Sequence, residues 1–372
     1  MPLYMDRHDP PESVTAENIA QMHQEDLKIQ DQLGCKVLTY WFDEQRKNAF
    51  CLIEAPNTGA IQKLHNQAHG QVPNSIIEVN AGLVESFLGR IEDPEKSQDT
   101  ELNIIDDSAL RTIMIISLKR LKPILNNSAQ FKSSLQNFNN AVLNLLNGYQ
   151  GSLVKQTENN FLVSFKSVSN AVQSALDIQL LFKDLRNDLN KDQIDCKIGL
   201  SAGLPVTEKK LIFEDVIKLA ERMCKVIQGD VIVSSDVTKI YNSENSDTLS
   251  EKESIFCLSR TDEKFLTLLM DYTESFWNNE NLQIDDFSKP LGCSKSQLYR
   301  KMMSLTGKSP NTFITEYRLN EALSLLNENT GNVAEIAFQT GFNSPSYFSK
   351  CFKKTYGNLP SRYLTIKGGQ KF

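Results

Sequence analysis

The sequence predicts an α+β chain of several domains, in which two α/β sandwiches are followed by an all-α domain. Strands and helices alternate over residues 1–80 and again over 107–258, and the stretch from Ile284 to Leu364 repeats one helical unit. A chain of 372 residues is also too long for one ordinary domain. We therefore expect two or three domains.

The N-terminal segment has the order strand, helix, strand, strand, helix, strand. Period-2 and period-3.6 patterns predict the strands LYMDRH, KVLTYWF, NAFCLIEA and SIIEV and the helices TAENIAQMHQEDLKIQDQLG and TGAIQKLHNQAHG. A βαββαβ order predicts a ferredoxin-like sandwich, assigned to residues 1–91. Residues 81–91 add either a short helix or the end of a strand.

All four histidines of the protein lie in this segment. His65 and His69 are four residues apart and share a helix face, which is the spacing used for paired imidazole ligands. A mixed nitrogen and oxygen set suits nickel, zinc or copper, and the spacing does not distinguish them. The alternative is that these are ordinary surface or core-edge histidines. The candidate metal ligands are His8, His23, His65, His69, Asp6 and Asp26.

The segments MPLYMDRHD, LTYWFDEQRKNAFCLIEAP and HNQAHGQVPNSIIEV, with His23 and Asp26, resemble a small family of ferredoxin-like domains. Some members of that family bind nickel. The resemblance covers roughly the first 90 residues. It implies Ni²⁺ or another divalent transition metal at this domain.

A linker and a second α/β segment follow. Residues 91–107 carry seven acids and one lysine, which predicts a solvated linker. The next strands are RTIMIISLK, a hairpin of GSLVKQT and NFLVSF, CKIGLSAGLPV and DVIVSS, and SIFCL completes the sheet. The helices are FKSSLQNFNNAVLNLLNGY, VSNAVQSALDIQLLFKDLRN and DVIKLAERMCKVI.

The segments RTIMIIS, GYQGSLVKQTENNFLVSF, CKIGLSAGLPV and VIKLAERMC resemble the class III nucleotide-cyclase homology domain, a ferredoxin-like core that dimerises. In active members two aspartates hold two magnesium ions, but Ser117 and Asn159 occupy the aligned positions here. Because neutral oxygens do not offset two divalent charges, the resemblance implies a degenerate domain without cyclase activity. It would serve dimerisation or keep a pocket for a ligand. The vestigial nucleotide pocket comprises Ser117, Lys155, Asn159, Lys218 and Arg222.

The C-terminal repeat consists twice of a short helix, a turn at glycine and a longer helix. Aligning IDDFSKPLGCSKSQLYRKMMSLTGKSPNTFI with VAEIAFQTGFNSPSYFSKCFKKTYGNLPSRYL pairs Gly292 with Gly341 and, after one extra residue, Pro310 with Pro360. This order is typical of a helix-turn-helix. A preceding helix, DEKFLTLLMDYTESFWNNENLQ, carries predicted core residues at helical spacing. They are Phe265, Leu268, Leu269, Tyr272 and Phe276.

Positive charge is concentrated on the two units, although the net charge of the chain is −6. Residues 287–310 contain five Lys or Arg and no acid, and 336–372 contain six and no acid, whereas 262–286 contain seven acids and one lysine. Neutralising DNA phosphates needs such a local concentration. The candidate DNA-binding residues are Ser294, Lys295, Ser296, Gln297, Tyr299, Arg300, Lys301, Ser344, Ser346, Tyr347, Ser349, Lys350, Lys353 and Lys354.

Ser309 and Pro310 open a helix between the two units that runs to about Glu328. A helix of this length spans roughly 27 Å. It could hold two reading helices about 34 Å apart, which is one turn of B-DNA. Pro290 lies late in the first helix of the first unit and predicts that this helix is shortened.

With RLNEALSLL as the linking helix and NVAEIAFQTGFNSPSYFSKCFKKTYGNLPSRY as the second unit, residues 262–368 resemble the AraC/XylS-type DNA-binding domain. The resemblance implies a transcription regulator, not an enzyme, that binds double-stranded DNA, works with RNA polymerase and forms a homodimer. DNA binding would need no cofactor. The alternatives are a nucleotide-binding protein with residual cyclase activity, a metal-binding stress-response protein and an all-helical protein-binding module.

Seven cysteines are scattered without paired spacing, which predicts reduced thiols in a cytoplasmic protein. No window of the sequence approaches 18 apolar residues. We therefore expect neither secretion nor a membrane span.

Overall fold

Two β-sheets and a helical C-terminal region make up the protein. The computed structural model describes residues 1–95, 102–120, 129–188, 194–252, 254–328 and 330–363. Within these ranges, none of the helices has the length and apolar character that crossing a bilayer requires.

The N-terminal region has the predicted βαββαβ order, and residues 81–91 begin with a helix. Its elements are β1 (Leu3–His8), α1 (Ala16–Ile29), β2 (Lys36–Asp43), β3 (Asn48–Glu54), α2 (Thr58–Ala68), β4 (Ser75–Val79) and α3 (Ala81–Leu88). The four strands are antiparallel in the order β2-β3-β1-β4. Gly34 adopts a φ of 64° where the helical segment after α1 ends, a conformation that favours glycine.

Strand β1 presents two different faces, because successive side chains alternate across a sheet. Asp6 and His8 point towards α1 and α2. Met5 is fully buried on the other face, in a core that also contains Phe213 of the middle region. Arg7, two residues after Met5 and on the same face, donates from Nη1 to the carbonyl oxygen of Val206 at 3.4 Å. One strand thus links the N-terminal cluster of acids and histidines to the middle region.

Part of the acidic segment after α3 packs on the N-terminal region. Tyr40 Oη donates to the carbonyl oxygen of Asn103 at 2.9 Å and accepts from the amide of Ile105 at 2.9 Å. Ile105 is buried, and Asp107 forms a β-bridge with Phe42. The prediction of a solvated linker is therefore wrong at Asn103, Ile105 and Asp107, which pack on the N-terminal sheet, whereas Glu92, Pro94 and Glu95 are exposed as predicted. Residues 96–101 lie outside the described residues.

The middle region repeats the βαββαβ order and extends its sheet to six strands, in the order β10-β9-β8-β5-β7-β6. Strands β9 and β10 run parallel to β8, so SIFCL completes the sheet as expected. The elements are β5 (Arg111–Arg120), α4 (Ala129–Gly148), β6 (Ser152–Gln156), β7 (Asn160–Phe165), α5 (Val168–Asp188), β8 (Ile194–Gly203), α6 (Glu214–Val226), β9 (Val231–Val233), α7 (Ser235–Glu244) and β10 (Ile255–Cys257).

Helices α4 and α5 cover one face of this sheet, and elements from the rest of the same chain pack on the other. At one end α3 is docked by Ser164, whose hydroxyl donates to the carbonyl oxygen of Phe87 at 2.8 Å. Arg111 donates to the carbonyl oxygens of Phe87 and Leu88, both at 3.1 Å. Burial lowers the pKa of Arg111 to about 10, so its charge is retained near neutral pH.

The C-terminal region contains the two predicted helix-turn-helix units. Its helices are α8 (Arg260–Phe276), α9 (Ile284–Ser288), α10 (Lys295–Thr306), α11 (Pro310–Glu328), α12 (Val333–Gln339) and α13 (Pro345–Tyr356). Helix α9 has only five residues, as Pro290 predicts. The second unit has its own core, in which Phe348 and Phe352 are fully buried. The core of the first unit is continuous with the middle region.

Helix α8 is buried on part of the predicted face and on a second face. Phe265 and Leu269 are buried as predicted. Leu268 and Phe276 are 45% and 44% exposed, whereas Leu266 and Met270 are fully buried. The reason is that α8 lies between the first unit and α6, so residues facing α6 are enclosed as well.

Helix α6 contacts the other two regions. Val216 in its first turn packs in the core that contains Met5 of β1. Two turns later, Met223 packs with Leu266 of α8. Just beyond α6, the backbone N–H of Gln228 donates to the carbonyl oxygen of Leu305 in α10 at 2.8 Å. The first helix-turn-helix unit is therefore attached to α6 and to the loop that follows it.

Arg222 forms the charged part of this attachment. Its Nη2 donates to Asp271 Oδ1 at 2.5 Å and to Glu274 Oε2 at 2.6 Å, and its side chain is only 5% exposed. Nη1 donates to the carbonyl oxygen of Thr267 at 3.4 Å. These contacts satisfy a buried guanidinium entirely with groups of α8.

We predict that Arg222→Ala destabilises the protein by roughly 1–2 kcal/mol, less than for a fully buried ion pair because Asp271 and Glu274 are partly exposed. Urea unfolding of the full chain measures this. Lys218→Ala is the matched control, because the exposed Lys218 contacts the same Asp271 at 3.5 Å and its loss should cost under about 0.5 kcal/mol. Equal effects of the two substitutions would contradict the assignment.

Candidate metal centre and nucleic-acid interface

Acids and histidines meet on the helix-covered face of the N-terminal sheet. His65 of α2 lies between two carboxylates, with Nε2 2.8 Å from Asp6 Oδ2 and Nδ1 3.1 Å from Asp26 Oδ2. His69 Nε2 is 3.2 Å from His65 Nδ1 and 3.4 Å from Asp26 Oδ1. His8 Nε2 is 3.4 Å from Asp6 Oδ1. Five of the six predicted metal ligands therefore converge.

The charge of this cluster is held by His65, whose side chain is fully buried. Burial opposes the imidazolium, but the charges and hydrogen bonds of Asp6 and Asp26 outweigh it and raise the pKa of His65 to about 10. Burial likewise opposes ionisation of Asp6, yet His8 and His65 hold the pKa of that carboxyl well below its usual range. A proton on His65 therefore neutralises part of the carboxylate charge.

The cluster opens into a cavity of about 140 Å³. His23 lines this cavity but stands apart from the cluster, because its Nε2 pairs with Asp93 Oδ2 at 3.0 Å. Cys51 also lines it, although the sequence predicted only a reduced thiol there. The available signal was its position in strand β3, which alternates towards the same face as the cluster.

The residues present fit a metal ion. His8 Nε2 and Asp26 Oδ1 are buried, and their neighbours at 3.4 Å, Asp6 Oδ1 and His69 Nε2, do not reach hydrogen-bonding geometry, which is costly unless another group satisfies them. Two sets of side chains have candidate ligand atoms within 4.8 Å of one another. A bound cation would supply the positive charge that the His65 proton otherwise provides. The two sets are Asp6, His8, Cys51 and His65, and Asp26, His65 and His69.

The candidate DNA-binding residues lie on α10, on α13 and at their N-caps. Ser294 and Ser344 cap the two helices, each accepting at 3.3 Å from the third amide beyond it. Tyr299 and Tyr347 are 51% and 55% exposed. Ser296, Ser346, Lys350, Lys353 and Lys354 are also exposed, whereas Ser349 is half-buried. Both helices thus present polar and aromatic side chains to solvent.

The two helices differ in how free their polar groups are. Lys350, Lys353 and Lys354 of α13 form no ion pair with any other described residue. On α10, by contrast, Lys295 Nζ is 2.6 Å from Asp285 and Lys301 Nζ is 3.2 Å from Asp262.

Two further polar side chains of α10 bond to the backbone. Arg300 Nε donates at 3.4 Å to the carbonyl oxygen of Ser296. Gln297 Oε1 accepts at 2.8 Å from the amide of Ser294, completing a capping box. Gln297 therefore stabilises the helix start with the same oxygen that a base contact would use.

The expected nucleotide pocket is not open at two of its five positions. Arg222 and Lys218 are bound to acids of α8 rather than directed at a ligand. The amide of Leu118 donates to the carbonyl oxygen of Asn159 at 2.7 Å, and Ser117 pairs with Asn160 in the sheet. Lys155 is exposed on β6. The expectation of a shared pocket is therefore wrong at Lys218 and Arg222, because α8 brings competing carboxylates to them.

Comparisons with known proteins match both ends of the chain. Residues 287–366 match the family described as helix-turn-helix domain, and residues 4–79 match the family described as nickel responsive protein SCO4226-like. The fold therefore defines a multidomain protein with a double helix-turn-helix region. The C-terminal region is thus similar to the first family, and the N-terminal sandwich to the second.

Individual relatives match over single domains. Histidine kinase P4 of Formosa agariphila is 41% identical over 106 residues, which are 28% of this chain and 8% of that protein. The HTH-type transcriptional regulator MtrA of Neisseria gonorrhoeae is 35% identical over 103 residues, 28% of this chain and 32% of that protein. The solved structure of SCO4226 from Streptomyces coelicolor A3(2) is 30% identical and covers 21% of this chain and 94% of its own, with a TM-score of 0.20. The chain spans a third or less of these two curated relatives.

We predict that metal binding tightens as the pH rises from about 6.5 towards about 10, because His65 must lose a proton to bind a metal ion. The sign follows from its raised pKa. In the metal-free protein, the stability contributed by protonated His65 is complete below about pH 6.5 and is lost as the pH rises through about 10.

Calorimetric titration with Zn²⁺ and Ni²⁺ across this pH range, in buffers of different ionisation enthalpy, measures both affinity and proton release. His23→Ala is the control, because His23 pairs with Asp93 outside the cluster and its loss should leave the pH dependence in place. Binding that is independent of pH would contradict the prediction. So would unchanged binding in the His65→Ala/His69→Ala double variant.

Proposed function

We propose that this chain is a sequence-specific DNA-binding transcription regulator whose N-terminal domain binds a divalent transition metal. The observation that carries the proposal is the pair of helix-turn-helix units in an AraC-type domain, each with an exposed polar second helix. MtrA, one of the relatives, is named as a transcriptional regulator. The acid-free, lysine-bearing segments around α10 and α13 supply the charge that phosphate binding needs.

The two helices would take different parts in DNA binding. The unpaired Lys350, Lys353 and Lys354 suit phosphate contacts, which position a protein without reading sequence. Arg300, Ser296 and Tyr347 are exposed where base edges would be read. Helix α11, with 19 residues, spans roughly 28 Å and joins the two units. Two successive major grooves are therefore within reach of one chain.

A continuous set of packed elements connects the metal cluster with the first unit. Asp6 and His8 belong to β1, whose opposite face packs with Val216 of α6. Helix α6 in turn holds α8 through Arg222. A change in the geometry of the cluster would thus act on elements in direct contact with the first unit. Coupling further requires that metal binding and DNA binding each favour one arrangement of these elements over another.

Homodimer formation and contact with RNA polymerase are also part of the proposal, by resemblance to the AraC type. The sheet face opposite α4 and α5 is packed against α3, α6 and α8 of the same chain. Two chains would therefore pair through other surfaces, such as the outer sides of α4 and α5. Light scattering of the purified chain measures whether they do.

We predict that Lys353→Ala weakens binding to all DNA sequences and lowers the slope of log affinity against log salt by about one. The reason is the loss of one phosphate contact. Fluorescence anisotropy on duplexes obtained by in vitro selection measures both quantities. Lys132→Ala removes an exposed charge from α4 and is the matched control.

Gln297→Ala should instead relax sequence preference at one position. Gln297→Glu separates this effect from helix capping, because glutamate keeps the capping oxygen. Equal, sequence-independent losses for Lys353→Ala and Gln297→Ala would refute the assigned roles. Failure of the full chain to bind any selected duplex would refute DNA binding itself.

We further predict that Zn²⁺ or Ni²⁺ changes the affinity of the full chain for its selected duplex by about fivefold or more. Arg222→Ala should diminish this change while DNA binding persists, because it loosens α8 from α6. Anisotropy titrations with added metal and with a chelator measure both. Equal affinities under the two conditions would show that the N-terminal domain does not regulate DNA binding.

A further inference from the structure

A pair of adjacent strands brings a sulfur donor to the N-terminal cluster. Asp6 of β1 lies directly opposite Cys51 of β3, and cross-strand partners point to the same face of a sheet. His8, two residues after Asp6, points to that face as well. Helix α2 covers the face and adds His65, whose Nε2 is 2.8 Å from Asp6 Oδ2. Two neighbouring strands and one helix therefore supply four donors.

The spacing of these donors is close to that of a four-coordinate ion. One ligand atom from each of Asp6, His8, Cys51 and His65 lies within 4.8 Å of all the others. Ligands bound tetrahedrally at about 2.0–2.3 Å are roughly 3.3–3.8 Å apart. Side-chain movements of about 1 Å would close the set. Cys51 also lines the cavity of about 140 Å³, so a cation can reach it.

Two sets of donors share His65, and the ring nitrogen through which it ligates decides which set binds the ion. A neutral imidazole has one unprotonated nitrogen, so it can ligate through Nε2 or Nδ1 but not both. If Nε2 ligates, Nδ1–H donates to Asp26 Oδ2 at 3.1 Å, giving the carboxylate–histidine–metal arrangement common in metal sites. Ligation through Nδ1 would join only Asp26 and His69. The first choice gives four ligands and a satisfied outer hydrogen bond.

We propose that Asp6, His8, Cys51 and His65 form a tetrahedral site for a divalent ion of the zinc class, with the Cys51 thiolate as a ligand. Two imidazoles, a carboxylate and a thiolate match the donor types and number of tetrahedral zinc sites. Asp26 then positions His65. The Cys51 thiol proton and the His65 Nε2 proton are both released to solvent when the ion binds. This inference deepens the proposed metal-binding role of the N-terminal domain and rests on it.

Cobalt absorption tests the proposal on the full chain, because thiolate ligation of Co²⁺ gives a sulfur-to-metal charge-transfer band. We expect the unaltered chain to bind Co²⁺ with this band and Zn²⁺ to remove it by displacement. Cys51→Ser should lose the band and bind about tenfold or more weakly. Cys257→Ser, which alters another partly buried thiol in the middle region, should keep it. Asp26→Asn should keep the band and weaken binding by about 10–100-fold.

Several results would overturn the proposal. Co²⁺ bound to the unaltered chain without the band would exclude the thiolate while leaving the metal-binding role intact. A band that persists in Cys51→Ser would assign the sulfur to another residue. Loss of the site in Asp26→Asn with no band in the unaltered chain would favour the set containing His69. No binding of Co²⁺ or Zn²⁺ would refute the proposed metal-binding role itself.

Discussion

The packing of helix α6 between the N-terminal and C-terminal regions is the constraint on which the rest of the structure depends. Its first turn packs against the N-terminal sheet and its later turns pack against α8. The three regions are therefore joined by packed side chains and not only by the chain that connects them. Arg222 is buried there and can be satisfied only while Asp271 and Glu274 remain beside it. The position of the first helix-turn-helix unit is therefore tied to the middle sheet.

The second unit is constrained differently. Among the described residues, its core, centred on Phe348 and Phe352, consists of residues from α11 onwards, including Phe342 in the turn between α12 and α13. It is therefore attached to the remainder mainly through α11. The first unit is packed on the middle region, whereas the second is joined to it mainly through α11. A change at the metal cluster would therefore act on the first unit more directly than on the second. This asymmetry is invisible in the repeat itself, where both units have the same pattern.

Much of the fold followed from the sequence, because local periodicity and turn residues specify individual elements. The βαββαβ orders and the short α9 before Pro290 appear as predicted. At the metal cluster, five of six predicted residues converge, since β-strand and helix periodicities placed them on faces that meet. Cys51 was missed because its partner Asp6 is 45 residues away in the chain, and strand register is a long-range property.

The sequence by itself determined the order of elements, the basic second helices and the enrichment of histidine in one domain, because each depends on neighbouring residues. Only the tertiary structure decided that part of the segment after α3 packs on the N-terminal sheet, that Arg222 and Lys218 serve α8 instead of a nucleotide, and that α8 is buried on two sides. These outcomes depend on which apolar faces cover each other. Several apolar faces of similar composition could pack against one another, and the residue pattern within one segment does not specify which of them do.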